Sequence, residues 1–434
     1  MFKLKTIKVA ISAALAVIIA LSSVCISAYA ADRNASALPE TFDNRYPFVF
    51  VHGFNGWGSA EGLNNLIPYW GATCGDLMKF LGKNGYECYS ASVGPISSAW
   101  DRACELYAQL TGTTVDYGAA HSAEHGHDRY GRTYEKPLFE GWGRKDKNGG
   151  IKKIHLIGHS FGGTTIRLFT YLMTYGCSEE IKASPDDVSP LFKGGQEKLI
   201  YSVTCICTPH NSASTYYFAK DLYIFDPLMV LSALYTGFMG RSLLNGRVVD
   251  FHLEQFGLSN TPGKYDCDEY FKAVKNFLEH SDDTCQRDLC PDRMQELNNM
   301  IEISPHIYYF SYAFDTTVEG KLTGIRLPSI TTNPLIAPIS CWILFHREFT
   351  DSLTGQVYDE EWKPNDSLCN TISETYPFDE PHRDYDETDV KTGIWNVMPV
   401  SKGDHGTAIG LLANKKDHEK FYLALAEKLK NIER

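Results

Sequence analysis

The chain has 434 residues and a formal net charge of −12, with 41 Lys and Arg against 53 Asp and Glu. Hydrophobic residues make up 43% and charged residues 22%, which excludes a disordered, collagen-like or many-span membrane protein. The acidic balance also argues against a nucleic-acid-binding protein, because such a protein needs a cationic surface. We therefore expect a globular protein with a large core and no nucleic-acid partner.

Residues 1–30 are typical of a signal peptide. Three lysines precede an apolar run from Val9 to Ala20, and Ala28-Tyr29-Ala30 has the small-x-small pattern that signal peptidases recognise. A membrane span is the alternative, because the apolar run approaches the roughly 20 residues that cross a bilayer. The cleavage pattern and the polar residues 32–34 favour export, so we predict a secreted protein that is cut near Ala30.

Residues 31–434 alternate between strand-like and helical patterns. The apolar, strand-like runs are Pro47–Val51, Glu87–Val93, Lys153–Ile157, Leu199–Cys207 and Ile307–Tyr312. The helical patterns are Cys74–Gly85, Gly162–Tyr175 and Lys416–Asn431. Apolar strands separated by helices predict a mainly parallel sheet covered on both faces. The fold class is therefore α/β, in a single domain.

Two insertions interrupt this pattern, at about residues 100–143 and 215–300. The first is rich in His, Gly and Tyr and shows no clear strand over Trp100–Gly143. The second contains a strongly apolar stretch at Asp221–Phe238. That stretch is either a buried core helix or an amphipathic lid that covers an apolar site.

The cysteines do not suggest a disulfide scaffold, since a chain of this length does not need one. Cys205 and Cys207 alternate within a strand-like run, where they would be buried as small hydrophobic side chains. Cys285 and Cys290 are the best candidates for a disulfide bond. No C-x-x-C motif occurs, which makes a thiolate zinc ribbon improbable.

The most informative motif is Gly158-His-Ser160-Phe-Gly162, which follows a predicted strand and precedes a predicted helix. G-x-S-x-G in this setting is the nucleophile elbow of serine hydrolases. Side chains two residues before and two after the serine would collide with neighbouring backbone in so sharp a turn. The motif predicts Ser160 as a nucleophile at the N-terminus of a helix.

Stabilising an oxyanion needs two backbone N–H groups directed at one oxygen. The residue after the nucleophile, Phe161, would supply the first of them. The second would come from Phe54, in the glycine-rich loop His52–Gly56 after an early strand. A glycine-rich turn without this role is the alternative for that loop.

The acid and the base should follow the serine in the chain order Ser…Asp/Glu…His. His405 lies just ahead of the terminal helix and is a better base than His382 or His418. Asp366 is favoured as the acid, with Asp359 and Asp379 as alternatives. The adjoining carboxylate of Asp404 cannot readily bend back onto the His405 ring.

The chain resembles the secreted true lipases of bacteria that carry a structural zinc, the thermophilic-bacillus and staphylococcal group. The similar segments run through nearly all of residues 31–434 and include His52–Gly58, Val93–Glu105, Val115–His121, His125–His127, Gly131–Tyr134, Ser202–His210 and Gly393–Asn396. The resemblance implies an α/β-hydrolase fold with a helical lid, and Ser160, Asp366 and His405 as the catalytic triad. It also implies Phe54 and Phe161 as the oxyanion donors. The family often has Gln after the serine, where this chain has Phe161.

The histidines of His121-Ser-Ala-Glu-His125-Gly-His127 suggest a metal site. Helical spacing alone would favour the pair His121 and His125 as ligands, and a solvated polar loop is the alternative. The resemblance instead implies His121 and His127 with Asp101 and Asp283, and Gly126 ending the helix between them. Two imidazoles and two carboxylates form a closed tetrahedral set, which is typical of structural zinc.

The calcium site of the family should be absent from this chain. In the relatives, a Glu two residues and an Asp seven residues after the catalytic histidine help to bind calcium. The corresponding residues here are Thr407 and Leu412. Calcium usually requires carboxylates among its oxygen ligands. We therefore expect the loop after His405 to be held by packing instead, with Ile409, Leu411 and Leu412 buried.

These motifs together predict a secreted carboxylic-ester hydrolase, best described as a triacylglycerol lipase, that acts on lipid esters at an oil–water or membrane interface. A carboxylesterase or a phospholipase A of the same fold is the alternative, and a non-catalytic lipid- or surface-binding protein is a weaker one. A hydrolase that uses zinc in catalysis is disfavoured because no H-E-x-x-H motif occurs. No protein partner is implied.

Overall fold

The computed structural model describes residues 42–145, 149–221, 250–258 and 267–432. The predicted signal peptide and all of the predicted lid except its first residue, Asp221, lie outside these ranges. Within them, no helix combines the length and the apolar character needed to cross a bilayer.

A parallel sheet of seven strands forms the centre of the molecule, in the order β13-β14-β7-β6-β5-β1-β2. The strands are β1 (Phe48–Val51), β2 (Cys88–Ala91), β5 (Ile154–His159), β6 (Ile200–Ile206), β7 (Tyr308–Tyr312), β13 (His382–Asp384) and β14 (Trp395–Val397). Five of these lie within or overlap the strand-like runs of the sequence, and the predicted α/β class is confirmed. The two short strands β13 and β14 were not predicted.

Side chains on the central strands alternate between two hydrophobic cores, as the period of two requires. Val49 and Val51 of β1 face a core shared with the helices Ala99–Thr111 and Phe161–Tyr175. Phe48 and Phe50 face the opposite core, which includes side chains of the C-terminal helix. Because both faces are covered, the strands can be apolar throughout.

Twelve α-helices are described. They are α1 (Leu77–Lys83), α2 (Ala99–Thr111), α3 (Ala119–His125), α4 (Phe161–Tyr175), α5 (Ser178–Ala183), α6 (Pro190–Lys193), α7 (Thr215–Asp221), α8 (Cys267–His280), α9 (Cys285–Asp288), α10 (Pro291–Met300), α11 (Ala337–Phe345) and α12 (Lys415–Asn431). Short 3₁₀ turns occur at Gly62–Asn65, Glu197–Leu199, Glu254–Phe256, Glu360–Trp362, Thr371–Glu374 and Thr407–Ile409. The three predicted helices correspond to α1, α4 and α12.

Four two-stranded ribbons lie outside the main sheet. They pair β3 (Thr114–Asp116) with β4 (Tyr130–Thr133), β8 (Phe314–Asp315) with β15 (Ser401–Lys402), β9 (Thr317–Glu319) with β10 (Arg326–Pro328), and β11 (Phe349–Thr350) with β12 (Val357–Tyr358). The first ribbon corrects the expectation that Trp100–Gly143 lacks a strand. That segment also contributes most of α2, which packs against α4.

The expected disulfide bond between Cys285 and Cys290 is wrong, because both are free thiols in the structure. Cys285 is buried in the core, whereas the thiol of Cys290 donates a hydrogen bond to the Gln286 carbonyl at 3.3 Å. Cys205 and Cys207 are fully buried, as expected for small hydrophobic side chains.

Candidate active site and metal-ligand cluster

Ser160 occupies a strained turn between β5 and α4. Its backbone angles are φ 56° and ψ −130°, outside the regions that a non-glycine residue normally adopts. Two hydrogen bonds hold the turn: the Ser160 N–H donates to the Ile206 carbonyl at 2.8 Å, and the Thr208 hydroxyl donates to the Ser160 carbonyl at 3.0 Å. The serine side chain is half-exposed, whereas both of its neighbours in the chain are buried.

The glycines around Ser160 are required by close backbone approach. A Cβ on Gly158 would lie 2.5 Å from the backbone of Gly162, and one on Gly162 would lie 2.2 Å from the Val51 carbonyl oxygen. Neither contact can be relieved by a side-chain movement, because each involves backbone atoms. The G-x-S-x-G spacing therefore follows from the geometry of the elbow.

His405 and Asp366 meet beside this elbow. The Nδ1 atom of His405 lies 2.5 Å from Oδ2 of Asp366, and the His405 backbone N–H donates to the Asp366 carbonyl at 2.8 Å. The ring centroids of His405 and His159 are 4.7 Å apart, which brings the imidazole next to the residue before Ser160. The structure therefore brings the three predicted triad residues to one place.

The alternative acids lie elsewhere. Asp359 caps the turn Glu360–Trp362 through the Glu361 N–H, and Asp379 is exposed. The carboxylate of Asp404 accepts hydrogen bonds from the backbone N–H groups of Thr407 and Asn333. Among the acids considered from the sequence, Asp366 is the one that reaches the His405 ring.

The Asp366 carboxylate is fully buried and well supplied with hydrogen-bond donors. Its Oδ1 atom accepts from the N–H groups of Leu368 at 2.9 Å and Cys369 at 2.7 Å. Burial opposes ionisation, but the charge and the ring N–H of His405 outweigh it and lower the pKa of Asp366. The carboxylate is thereby kept ionised and directed at the imidazole.

The loop that carries Phe54 lies against the nucleophile. A Cβ on Gly53 would lie 2.9 Å from the Ser160 Cβ, so this loop passes directly beside the serine. Phe161 is the first residue of α4, and a residue at this position has no intrahelical acceptor for its N–H. Both predicted oxyanion donors therefore lie on segments adjoining Ser160.

A chain of hydrogen bonds runs beneath the site from this loop to His405. The Gly53 N–H donates to the Tyr69 hydroxyl at 2.9 Å, and that hydroxyl lies 2.7 Å from Nδ1 of His159. Nε2 of His159 lies 3.1 Å from the His405 carbonyl oxygen. Burial, together with the nearby His405, lowers the pKa of His159 well below its usual value. A neutral His159 can therefore accept from the tyrosine and donate to the carbonyl.

A second cluster brings together Asp101, His121, His127 and Asp283. One potential ligand atom from each of the four lies within 4.8 Å of the other three. Nε2 of His121 is 3.3 Å from Asp101 and 3.4 Å from Asp283, and Nε2 of His127 is 3.3 Å from Asp283. Helix α3 ends at Gly126, whose φ of 70° turns the chain so that His127 points back.

Each of the four residues has one buried polar atom without a hydrogen-bond partner among the described residues, namely Asp101 Oδ1, His121 Nε2, His127 Nε2 and Asp283 Oδ2. Native proteins seldom leave such atoms unpaired, unless an ion or a water is bound there. Burial and the Asp283 charge raise the pKa of Asp101 to about 6, a cost that a cation would offset. The donor set fits a divalent metal ion.

The surroundings orient these ligands. The Gln255 side chain donates to the other oxygen of Asp101 at 2.7 Å, and Nδ1 of His127 lies 2.9 Å from the Asp128 carbonyl oxygen. A donating Nδ1–H leaves the Nε2 lone pair of His127 directed inward. His125 instead pairs with the exposed Asp282 at 2.9 Å. The helical-spacing alternative, in which His125 is a ligand, is therefore not supported.

The loop after His405 contradicts the expectation that packing holds it with Ile409, Leu411 and Leu412 buried. Leu412 is 56% exposed rather than buried, with a φ of 52°, while Ile409 and Leu411 are half-buried. The loop is held mainly by hydrogen bonds. The Thr73 N–H and hydroxyl both donate to the Gly410 carbonyl, and the Leu412 N–H donates to the Thr73 hydroxyl at 2.8 Å. Backbone pairing, rather than burial of Leu412, fixes this segment.

Several polar residues that support these sites were missed by the sequence analysis. Tyr69 and Gln255 are distant in the chain from the residues they support, so no local spacing reveals them. Glu374 follows Asp366 closely in the chain, but nothing in the sequence marks the two as a buried carboxyl pair. His159 could have been noticed as the x of G-x-S-x-G, but its role depends on a tyrosine 90 positions earlier.

A family model described as "Lipase-like, C-terminal domain" matches residues 44–434. A lipase from Staphylococcus hyicus is 36% identical over 409 residues, which are 91% of this chain and 59% of that protein. Lipase 2 from Staphylococcus aureus is 36% identical over 375 residues, which are 85% of this chain and 51% of that protein. The chain thus spans between half and three-fifths of these relatives.

Solved structures agree with the sequence matches. The S. hyicus lipase crystal structure has a TM-score of 0.76 at 33% identity, covering 92% of this chain and 99% of that one. EstA from Clostridium botulinum has a TM-score of 0.75 at 36% identity, covering 92% and 90% respectively. The resemblance inferred from the sequence motifs is therefore confirmed. The chain belongs to the lipase-like C-terminal domain family and has the α/β-hydrolase fold of the bacterial lipases.

Proposed function

We propose that the protein is a carboxylic-ester hydrolase, best described as a triacylglycerol lipase, with Ser160, His405 and Asp366 as its catalytic triad. The observation that carries this proposal is the strained Ser160 turn beside the His405–Asp366 pair, whose nearest atoms are 2.5 Å apart. Relatives named as lipases support the lipid substrate.

In the proposed acylation step, the Ser160 hydroxyl attacks the ester carbonyl while His405 accepts its proton through Nε2. Asp366 holds the opposite ring nitrogen and stabilises the imidazolium that forms. The N–H groups of Phe54 and Phe161 would donate to the carbonyl oxygen as it becomes negative. His405 then protonates the departing alkoxide, leaving the acyl group on Ser160.

Deacylation repeats these steps with water as the nucleophile. His405 takes a proton from the water, which attacks the acyl carbonyl, and the same two N–H groups stabilise the second oxyanion. Return of the proton to Ser160 releases the carboxylic acid. No residue outside the triad and the oxyanion loop has to move a proton in this scheme.

The test is the variant Ser160→Ala, assayed on an emulsified triacylglycerol and on a soluble p-nitrophenyl ester. We expect turnover of both to fall by about 10⁴-fold or more, because the triad residues act as a unit. Ser212, which is buried and bonded to the Leu289 carbonyl, offers a control serine in Ser212→Ala. An organophosphonate that labels a different serine in the active protein would contradict the assignment.

A carboxylesterase or a phospholipase A of the same fold is the second candidate, because the proposed triad and oxyanion donors would serve the hydrolysis of any carboxylic ester that reaches Ser160. Comparing rates on short soluble esters, emulsified triacylglycerol and phospholipid vesicles separates the three activities. A preference for soluble esters without activation by emulsions would favour the carboxylesterase. The absence of hydrolysis of all three substrates would favour a non-catalytic lipid-binding protein.

We further propose that Asp101, His121, His127 and Asp283 bind a structural zinc ion. Four ligands complete a tetrahedral shell and leave no position for substrate or an attacking water. When bound, such an ion would cross-link α2, the turn after α3 and the segment before α9. The four buried ligand atoms that lack a hydrogen-bond partner among the described residues support this proposal. Metal analysis of the purified protein tests it.

We also propose that residues 1–30 are a signal peptide and that residues 31–434 are secreted as one domain with the two insertions. The basic start, the apolar run and the Ala28-Tyr29-Ala30 pattern support this proposal. N-terminal sequencing of protein recovered from culture medium should begin at or near Ala31. Recovery from the membrane fraction with an intact N-terminus would contradict it.

A further inference from the structure

A second buried carboxyl group lies beside the Asp366–His405 pair. Glu374 ends the 3₁₀ turn Thr371–Glu374, and its side chain is as fully buried as that of Asp366. Polar atoms of Cys207, Asp366, Glu374 and His405 all lie within 4.8 Å of one another. The proposed mechanism gives Glu374 no role.

One oxygen of Glu374 is satisfied and the other is not. Its Oε2 accepts a hydrogen bond from the Phe314 N–H at 2.7 Å. Its Oε1 is buried and finds no donor among the described residues. An ionised carboxylate can only accept hydrogen bonds, so Oε1 would carry unpaired charge in the core. A protonated Glu374, by contrast, would be a donor to Asp366, since an oxygen of each carboxyl group lies within 4.8 Å of the other.

The surroundings favour the protonated form. The titratable groups that face Glu374 are the carboxylates of Asp366 and Asp315 and the thiols of Cys207 and Cys369, with His405 beyond Asp366. None of these groups except His405 can bear a positive charge, and His405 is already engaged by Asp366. Burial and the Asp366 charge raise the pKa of Glu374 well above its usual value.

We propose that Glu374 is a neutral carboxylic acid whose hydroxyl donates a hydrogen bond to Asp366 and so positions the carboxylate that orients His405. The inference rests on the proposed function, in which this pair belongs to the triad. Glu374 touches no substrate and is a positioning residue. Its proton keeps Asp366 ionised, since a donated bond stabilises the anion, and it also limits the basicity of the carboxylate toward the imidazolium.

Two substitutions separate this role from simple packing. Glu374→Met removes the donor at similar volume, so Asp366 becomes more basic and less firmly oriented. We expect kcat to fall about tenfold and the acid limb of the kcat/KM profile to move to higher pH. Glu374→Gln restores a neutral N–H donor and should recover most of the lost kcat, with the limb close to its original position. Glu380→Gln is the matched control, because that carboxyl lies outside the cluster and pairs with Arg167 at 3.2 Å.

A limb that moves to lower pH in both Glu374 variants would show that Glu374 is ionised and would overturn the proposal. An acid limb at the same pH in the Glu374→Met, Glu374→Gln and original proteins would overturn the proposal too, because it would leave Glu374 only a packing role. An infrared spectrum of the unsubstituted protein labelled with ¹³C-glutamate gives an answer that needs no variant. A protonated carboxyl stretch that persists at neutral pH is expected, and its absence contradicts the proposal.

These results are distinguishable from failure of the proposed function. If Ser160→Ala remains active, the triad assignment fails, but the infrared band still reports the state of Glu374. If Ser160→Ala is inactive while the acid limb moves the wrong way, the triad stands and the role of Glu374 fails.

Discussion

At the level of single residues, the contact between Asp366 and His405 makes the identity of the acid testable. Asp366→Asn should keep the fold but present an amide in place of the carboxylate, which favours the wrong imidazole tautomer. We expect kcat on a soluble ester to fall by about 10³- to 10⁴-fold. Asp359→Asn is the control, since Asp359 only caps a turn. Equal losses in the two variants would mean that the acid has been misidentified.

How far single residues could be predicted depends on how local their signals are. Ser160 was predictable because the elbow geometry imposes glycines at fixed spacing around it. Asp366 was favoured over Asp359 and Asp379 by its position in the sequence, but only the family resemblance singled it out, since any loop carboxylate after the serine satisfies the chain order. Glu374 gave no signal although Asp366 is near it in the chain, because the turn Thr371–Glu374 that brings the two carboxyl groups together has no recognisable sequence pattern.

At the level of elements, the buried His252 joins the segment 250–258 to the rest of the molecule. Its Nδ1 lies 2.9 Å from Glu105 of α2, and its Nε2 lies 3.5 Å from Glu61. Burial and Arg132 oppose a positive charge there, but Glu105 and Glu61 outweigh them and raise the pKa of His252 to about 10. This segment is thus attached by a buried ionic cluster.

A raised pKa means that the folded state binds the proton more tightly than the unfolded state does. The stabilisation from His252 is therefore complete below the ordinary pKa of about 6.5 and is lost as pH rises through about 10. The melting temperature of His252→Gln should lie well below that of the original protein near neutral pH, and the gap should narrow toward pH 10. The exposed His382, changed to Gln, is the control. A gap that does not change with pH would refute the ionic attachment.

The turn after α3 allows an equally direct comparison of neighbouring histidines. His121→Ala and His127→Ala should each abolish stoichiometric zinc and lower the melting temperature, because a structural metal contributes folding free energy. His125→Ala, four residues after the first and two before the second, should retain the metal, since His125 pairs with Asp282 instead. Metal analysis and thermal melts of the three variants provide the measurement. Loss of zinc in the His125 variant would restore the helical-spacing ligand pair.

The elements that the sequence predicted well are those with long apolar runs. Strands β5 and β6 lie in the centre of the sheet, where burial on both faces demands such runs, and helix α4 packs against them. Strands β13 (His-Arg-Asp) and β14 (Trp-Asn-Val) lie toward one edge of the sheet and are only three residues long, too short for an apolar pattern to show. Their pairing is set by neighbours distant in the chain, so hydrophobic periodicity could not reveal them.

For the molecule as a whole, the two metal expectations predict different responses of the melting temperature to zinc and to calcium. The cluster at Asp101 and Asp283 offers a closed set of nitrogen and oxygen ligands suited to zinc. Near His405, Thr407 and Leu412 replace the calcium-binding carboxylates of the relatives, and both oxygens of Asp404 already accept backbone hydrogen bonds. That loop is fixed by Thr73 instead.

A chelator selective for zinc should therefore lower the melting temperature by several degrees, and added zinc should restore it. Millimolar calcium added to the zinc-loaded protein should leave the melting temperature unchanged. Ester hydrolysis below the melting transition should survive zinc removal, because the triad reaches its substrate without the metal. A rise in melting temperature at submillimolar calcium, abolished by substitutions at Asp404, would show that this loop has built a calcium site from different ligands.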